Sequence, residues 1–205
     1  MERILRNVHK AQNLIQEIIE VLRSEEGFFK KEYFSIENTF RESLLDVLEM
    51  AVPNAVEKVY QAENFEAFRD GLMEHGIFVE ITGKYCKAPF CHDQRKIQQI
   101  FRNLISNAMK YRRERMRVEV SGEADLVILV EDDGIGIPLG EQEIIFERFV
   151  RLNDKRRAYV PGLGLGLTGV KTLVEAMEGD IRLESREGVG TRFIIRIPSI
   201  QSVAQ

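Results

Sequence analysis

Residues 97–111 constrain this chain more than any other stretch. Ile97, Phe101, Leu104, Ile105 and Ala108 recur at three- and four-residue steps, the spacing of a helix with one buried stripe. Asn103, Asn107 and Lys110 fall on a second edge of the same helix, again at steps of four and three, so their side chains align along it. Two amides and an ammonium in one row suit a magnesium–phosphate ligand. An amide oxygen can enter the octahedral shell of Mg²⁺, and a lysine neutralises phosphate as a point charge. The same row could equally be a solvated polar face, so the neighbouring motifs decide.

Asp132-Asp133-Gly134-Ile135-Gly136-Ile137-Pro138 follows the apolar run 126–130. A carboxylate at the end of a buried strand can accept from an exocyclic amine, and Gly134 and Gly136 let the chain turn tightly beside a base. A simple Asp-Gly turn is the plainer reading. Downstream, Gly162-Leu163-Gly164-Leu165-Gly166-Leu167 opens a helical pattern, and backbone N–H groups at a helix start hold phosphate oxygens. Between them lies Ile145-Phe146-Glu147-Arg148-Phe149-Val150-Arg151-Leu152. The polar stretch 151–161 that follows has no core pattern and reads as a mobile lid.

In this order the blocks resemble the N, G1, F and G2 boxes of the sensor histidine kinases, which share an ATP-binding fold with DNA gyrase, MutL and a heat-shock chaperone. The resemblance covers most of the chain after Phe34 and, weakly, the part before it. It implies that Asp132 reads the adenine amino group, which selects ATP over GTP because a carboxylate facing the guanine carbonyl would be left unpaired. It implies that Asn107 ligates Mg²⁺ and that Lys110 meets the phosphates. Asn103, Tyr111 against the adenine ring, Gly134, Gly136, Gly162, Gly164, Leu165, Gly166, Leu167 and Thr191 complete the nucleotide site. Arg148 and Arg151 are the candidates for an arginine at the γ-phosphoryl, with Lys110 beside them. Phe146 and Phe149 are expected to anchor the lid. Gyrase-type ATPases and the related serine kinases carry a glutamate where Asn103 stands. An amide cannot take a proton from water or serine, whereas a histidine acceptor already has a free imidazole nitrogen.

The expected fold is α/β, a two-layer sandwich of a mixed sheet with helices on one face (the Bergerat-type ATP-binding fold), preceded by an N-terminal helix from a dimerisation bundle. Met1, Ile4, Val8, Ala11, Ile15, Ile18 and Leu22 form a heptad seam, similar to the second helix of a kinase dimerisation domain. The division reads 1–27 as part of that domain, 28–199 as the ATP-binding domain and 200–205 as a tail. No acceptor-histidine block is present: His9 is followed by Lys10 and Ala11, so the chain reads as a fragment or as a kinase acting in trans. Asn38 is placed as the cap of a helix carrying Phe40, Leu44, Leu45, Val47, Leu48 and Val52, ended by Pro53. Residues 54–75 read as one or two further helices, longer than the resemblance requires and so an insertion. Strands are expected at 77–81 and 88–91, with hairpins at 116–130 and 180–197. The run 126–130 is expected to be buried on both faces, and Asp93 to cap the long helix.

The net charge of −4 gives no general reason to expect nucleic acid as a partner, and no apolar run approaches the ~20 residues of a membrane span. Cys86 and Cys91 lack a His/Cys cluster and are expected as reduced thiols in a cytoplasmic protein. The function implied by the resemblance is transfer of the ATP γ-phosphoryl to a histidine outside the chain. ATP and Mg²⁺ are the cofactors. The partners are a second copy through the N-terminal helix, a phosphoacceptor-histidine segment and a response regulator. The rivals are an ATPase or serine kinase of the same fold, and a nucleotide-binding dimerisation scaffold.

Overall fold

A computed structural model describes residues 29–51, 57–147, 150 and 164–200. The heptad seam of 1–27, Val52, Pro53, Arg148, Phe149, Arg151, Gly162 and the tail 201–205 lie outside the described residues.

The chain enters through a short strand, β1 (Glu32–Phe34), followed by α1 (Ile36–Ala51). Ser35 is the helix cap: its Oγ accepts the Asn38 N–H at 3.3 Å and its carbonyl accepts the Thr39 N–H. The cap therefore sits three residues before Asn38, and Ile36 is already helical. Phe40, Leu44, Val47 and Leu48 form the buried stripe of α1. The stretch expected as an insertion folds as two short helices, α2 (Glu57–Tyr60) and α3 (Phe65–Met73), the second capped by Asn64. It is integral to the core. Val59, Phe68 and Leu72 are fully buried, and Arg41 of α1 donates to the Ala62 carbonyl while lying 5.0 Å over the Phe68 ring.

Next come β2 (Ile77–Ile81), β3 (Phe90–His92) and α4 (Gln94–Tyr111), the long helix anticipated above. Asp93 caps α4 through the Lys96 N–H at 3.2 Å. Ile97, Ile100, Phe101, Leu104, Ile105 and Ala108 are buried, with Phe101 edge-on to Phe40 at 5.5 Å. Burying each large apolar side chain contributes about 1.5–3 kcal/mol, so this stripe fixes α4 against the sheet and α1. The remaining elements are β4 (Met116–Ser121), β5 (Asp125–Asp132), α5 (Gly166–Ala176), β6 (Asp180–Arg186) and β7 (Gly190–Pro198).

The main sheet has the order β2-β4-β5-β7-β6, with β2 parallel to β4 and every other pair antiparallel. β1 and β3 form a separate antiparallel pair. The fold is thus the expected α/β sandwich of a mixed sheet covered by helices on one face. That one-sided cover corrects the reading of β5 as buried on both faces. Leu126, Ile128, Val130 and Asp132 point into the core, while Val127, Leu129 and Glu131 are only half-buried. The open face instead carries charged ladders: Arg117 with Glu80 and Glu119, Arg192 with Glu131 and Glu184 at 3.0 and 3.1 Å, and Arg196 with Asp125.

Candidate functional site

The long helix sets out most of the site. Its buried stripe fixes its rotation, which leaves Asn103 and Asn107 half-buried along one edge and Lys110 and Tyr111 exposed at its C-terminal end. The turn after β5 is pressed against that end. A Cβ on Gly134 would stand 2.2 Å from the Tyr111 carbonyl oxygen and 2.5 Å from Asp132 Oδ1, so only glycine lets the two segments meet. Gly136 turns with φ +68°, and a Cβ there would strike the Arg186 carbonyl at 2.0 Å.

Asp132 is 8 % exposed at the core-facing end of β5. Its Oδ1 accepts the Gly134 N–H at 2.9 Å. Burial pushes its carboxyl up to about 6. The Gly134 and Thr191 N–H groups oppose that rise, and the charges of Asp133 and Glu131 add to it. Thr191, equally buried, is the register partner of Asp132 on β7, and its hydroxyl lies 3.1 Å from Ser185 Oγ.

The glycine run meets the helix from the other side. Gly164 has φ +74°, Leu165 is buried, Leu167 packs against the core, and α5 starts at Gly166. A Cβ on Gly166 would lie 3.4 Å from Asn103 Oδ1. The start of α5 and the two-amide edge of α4 therefore stand side by side. Phe146 packs edge-on against Phe193 at 6.3 Å, with Lys171 Nζ 5.4 Å from its ring. Of the anticipated residues, Asn103, Asn107, Lys110 and Tyr111 lie on α4, Asp132, Gly134 and Gly136 at the end of β5 and its turn, Gly164, Leu165, Gly166 and Leu167 at the start of α5, and Thr191 on β7 beside Asp132.

Several residues around the site carried no signal in the sequence. Ser185 accepts the Ile137 N–H and donates to the Gly190 carbonyl, each at 2.8 Å, and Gln142 Nε2 donates to the Ile137 and Ser185 carbonyls. Asp133 accepts three N–H groups of the loop that follows α4. Thr168, in the first turn of α5, is buried, and its hydroxyl has no partner among the described residues. A concavity of about 590 Å³ is lined by Phe78, Glu80, Arg117 and Glu131 of the open face and also by Asp132 and Asp133, so it borders this site.

The profile of the histidine kinase-, DNA gyrase B- and HSP90-like ATPases matches residues 92–201, more than half of the chain. The chain belongs to this ATPase family. Sensor histidine kinase WalK of Bacillus subtilis is 33% identical to it over 192 residues, covering 90% of this chain and 28% of that protein. Sensor protein kinase WalK of Staphylococcus haemolyticus is 41% identical over 111 residues, covering 52% of this chain and 18% of the relative. The chain thus spans less than a third of these relatives. Among solved structures, full-length ShkA in complex with AMPPNP superposes with a TM-score of 0.68 at 22% identity, over 98% of this chain and 39% of that one. The Acinetobacter baumannii histidine kinase AdeS gives 0.62 at 21% identity, over 98% of this chain and 84% of that one. These last two likenesses establish the fold. The matched region holds the whole of α4, the Asp132 turn and α5, so the family's defining segment and the site built above coincide.

Proposed function

We propose that this chain is the ATP-binding catalytic part of a sensor histidine kinase, passing the γ-phosphoryl of ATP to a histidine outside the 205 residues. One juxtaposition supports the reading: a buried carboxylate lies beside the C-terminal end of the helix that carries the two amides, and the first of those amides lies beside the start of α5. Asp132 sits under the glycine turn at the C-terminal end of α4, and Asn103 lies against the first residue of α5.

Adenine goes to the Asp132 end. The Gly134 and Thr191 N–H groups hold the carboxylate in place, and its remaining lone pairs are available to accept the exocyclic amine. Tyr111 covers the ring and Thr191 lines it beside Asp132. The phosphates go to the start of α5, where Gly162, Gly164, Leu165, Gly166 and Leu167 offer backbone N–H groups and Lys110 offers charge. Asn107 would hold Mg²⁺ through its amide oxygen. An ion held by one amide oxygen would take its remaining ligands from the phosphates and water. Once bound, that ion neutralises phosphate charge. Arg148 and Arg151 are the candidates to meet the γ-phosphoryl from the lid hinge.

Asn103 decides between the members of this fold. It occupies the position from which a carboxylate would activate water or a serine hydroxyl, and it has no basic oxygen to do so. An imidazole nitrogen needs no such help. In the parent protein we assign 1–27 to the second helix of a dimerisation domain, 28–199 to the catalytic domain and 200–205 to a tail. That helix would pair two copies, and the acceptor-histidine segment and a response regulator would be its protein partners; nucleic acid is not among them. No described helix is long and apolar enough to cross a membrane. We place this part on the cytoplasmic side because its proposed substrate, ATP, is there.

The test is incubation with γ-labelled ATP and a purified acceptor-histidine helical hairpin. Label that reaches the hairpin and is lost in acid but kept in base supports histidine transfer. Acid-stable label, or label released as free phosphate, would favour a serine kinase or an ATPase.

A further inference from the structure

Asp133 lies next to the adenine-reading acid but points to the other side of the turn. Its Oδ1 accepts the N–H groups of Arg113, Glu114 and Arg115 at 2.9, 3.1 and 3.0 Å, and its own N–H donates to the Arg115 carbonyl at 3.3 Å. Those three residues come just after α4, separated from Tyr111 by the cap residue Arg112. Two further bonds close the ring. Arg113 Nη2 donates to the Gly188 carbonyl at 3.1 Å, and the Gly188 N–H donates to the Ile135 carbonyl at 2.7 Å. Burial alone would raise the Asp133 carboxyl. The N–H groups of Arg115, Glu114 and Arg113 outweigh it and hold the carboxyl below its ordinary value. It is therefore an anion at neutral pH held by three backbone donors, and such charge-assisted bonds are the strong ones.

We infer that Asp133 is a positioning residue for nucleotide binding, tying the segment after Asp132 to the segment after Tyr111 so that the adenine-reading carboxylate keeps its place at the end of α4. The inference rests on the nucleotide reading above. The clamp joins the segment after α4 to the turn just beyond the ladder pairs Met116–Asp132 and Asp132–Thr191, which hold the end of β5 itself. Without it, the Asp132 turn could move relative to Lys110 and Tyr111 while the sheet and the α4 stripe stayed intact. Asp133 also sets the charge beside Asp132. An amide at this position would keep one oxygen for the three donors and remove that neighbouring charge.

The experiment uses the full chain and compares wild type, Asp133→Asn and Asp133→Ala. Calorimetric titration with Mg²⁺ and a non-hydrolysable ATP analogue is run from pH 5.5 to 8, beside amide exchange at residues 113–115 and a melting curve. The inference expects Asp133→Ala to weaken affinity about tenfold and to speed exchange at 113–115 while β5 stays protected. It expects Asp133→Asn to bind within twofold of wild type, with the acid fall-off of affinity moved to lower pH. Asp133→Ala binding like wild type, or Asp133→Asn as weak as Asp133→Ala, would overturn it. If Asp133→Ala fails to melt cooperatively, an unmoved pH profile in Asp133→Asn overturns the inference and a moved one supports it. Wild type that binds no nucleotide defeats the functional reading instead, and the exchange rates at 113–115 in Asp133→Asn and Asp133→Ala still decide whether the clamp exists.

Discussion

Replacing Asp132 with asparagine separates what this position costs the fold from what it gives the ligand. The Asp132 carboxyl rises from an ordinary 3.8 to about 6 on folding, chiefly because it is buried. That shift of about two pKa units corresponds to about 3 kcal/mol spent on ionising a buried group at neutral pH. A raised folded-state pKa means that the folded chain binds the proton more tightly than the unfolded chain. Stability associated with the proton is therefore complete below about pH 4 and is lost as pH rises through about 6. Asp132→Asn removes the charge and keeps an oxygen for the Gly134 N–H. Its gain, at most about 3 kcal/mol, is set by how well the new NH₂ is paired. Urea unfolding of both proteins without nucleotide, at pH 7.5 and pH 4, measures it. The variant should be more stable at pH 7.5 and equal to wild type near pH 4, and it should bind an ATP analogue at least a hundredfold more weakly, with donor facing donor at the adenine amine. A variant less stable at pH 7.5, or a gain independent of pH, would refute the reasoning.

Nucleotide affinity of the wild type should be flat above pH 7 and fall as pH drops through about 6, since a protonated Asp132 offers a hydrogen where the amine needs an acceptor; calorimetry across that range checks it. Gly134→Ala drives a methyl into the Tyr111 carbonyl and should cut affinity sharply even in protein that still melts cooperatively. Phe101→Ala, in the fully buried stripe of α4, should cost about 3–5 kcal/mol in urea unfolding. Asn103→Glu places a carboxylate beside Gly166, and the free phosphate released from ATP should rise relative to wild type in a colorimetric assay.

The parts of the fold that periodicity encodes were legible in the sequence. The α4 stripe, its Asp93 cap, both hairpins and the glycine turns stand where spacing and turn chemistry place them, because each depends on residues a few positions apart. The contacts that join distant segments left no such trace. Asp133 reaches back 18 to 20 residues for its donors, and Ser185 reaches 48 residues to Ile137. No local pattern distinguishes these side chains from solvated ones. Ser35 displaced Asn38 as the cap because both are good cappers, and only the packing of Ile36 into the core decides between them. Residues 57–73 belong to the core because α3 covers β2, a long-range fact that helix patterning alone does not contain. The apolar run in β5 misled for a related reason: Val127 and Leu129 are flanked on the open face by long charged neighbours such as Arg196 and Glu119, which shield them without a second layer of helices.

The most direct test of the account is a crystal structure of this chain with Mg²⁺ and a non-hydrolysable ATP analogue. The account predicts the adenine amino group on Asp132, the metal on the Asn107 amide oxygen and the phosphates at the start of α5. Nucleotide bound elsewhere, or a cleft closed by Asn103 and Asn107 turned away from it, would contradict the central claim.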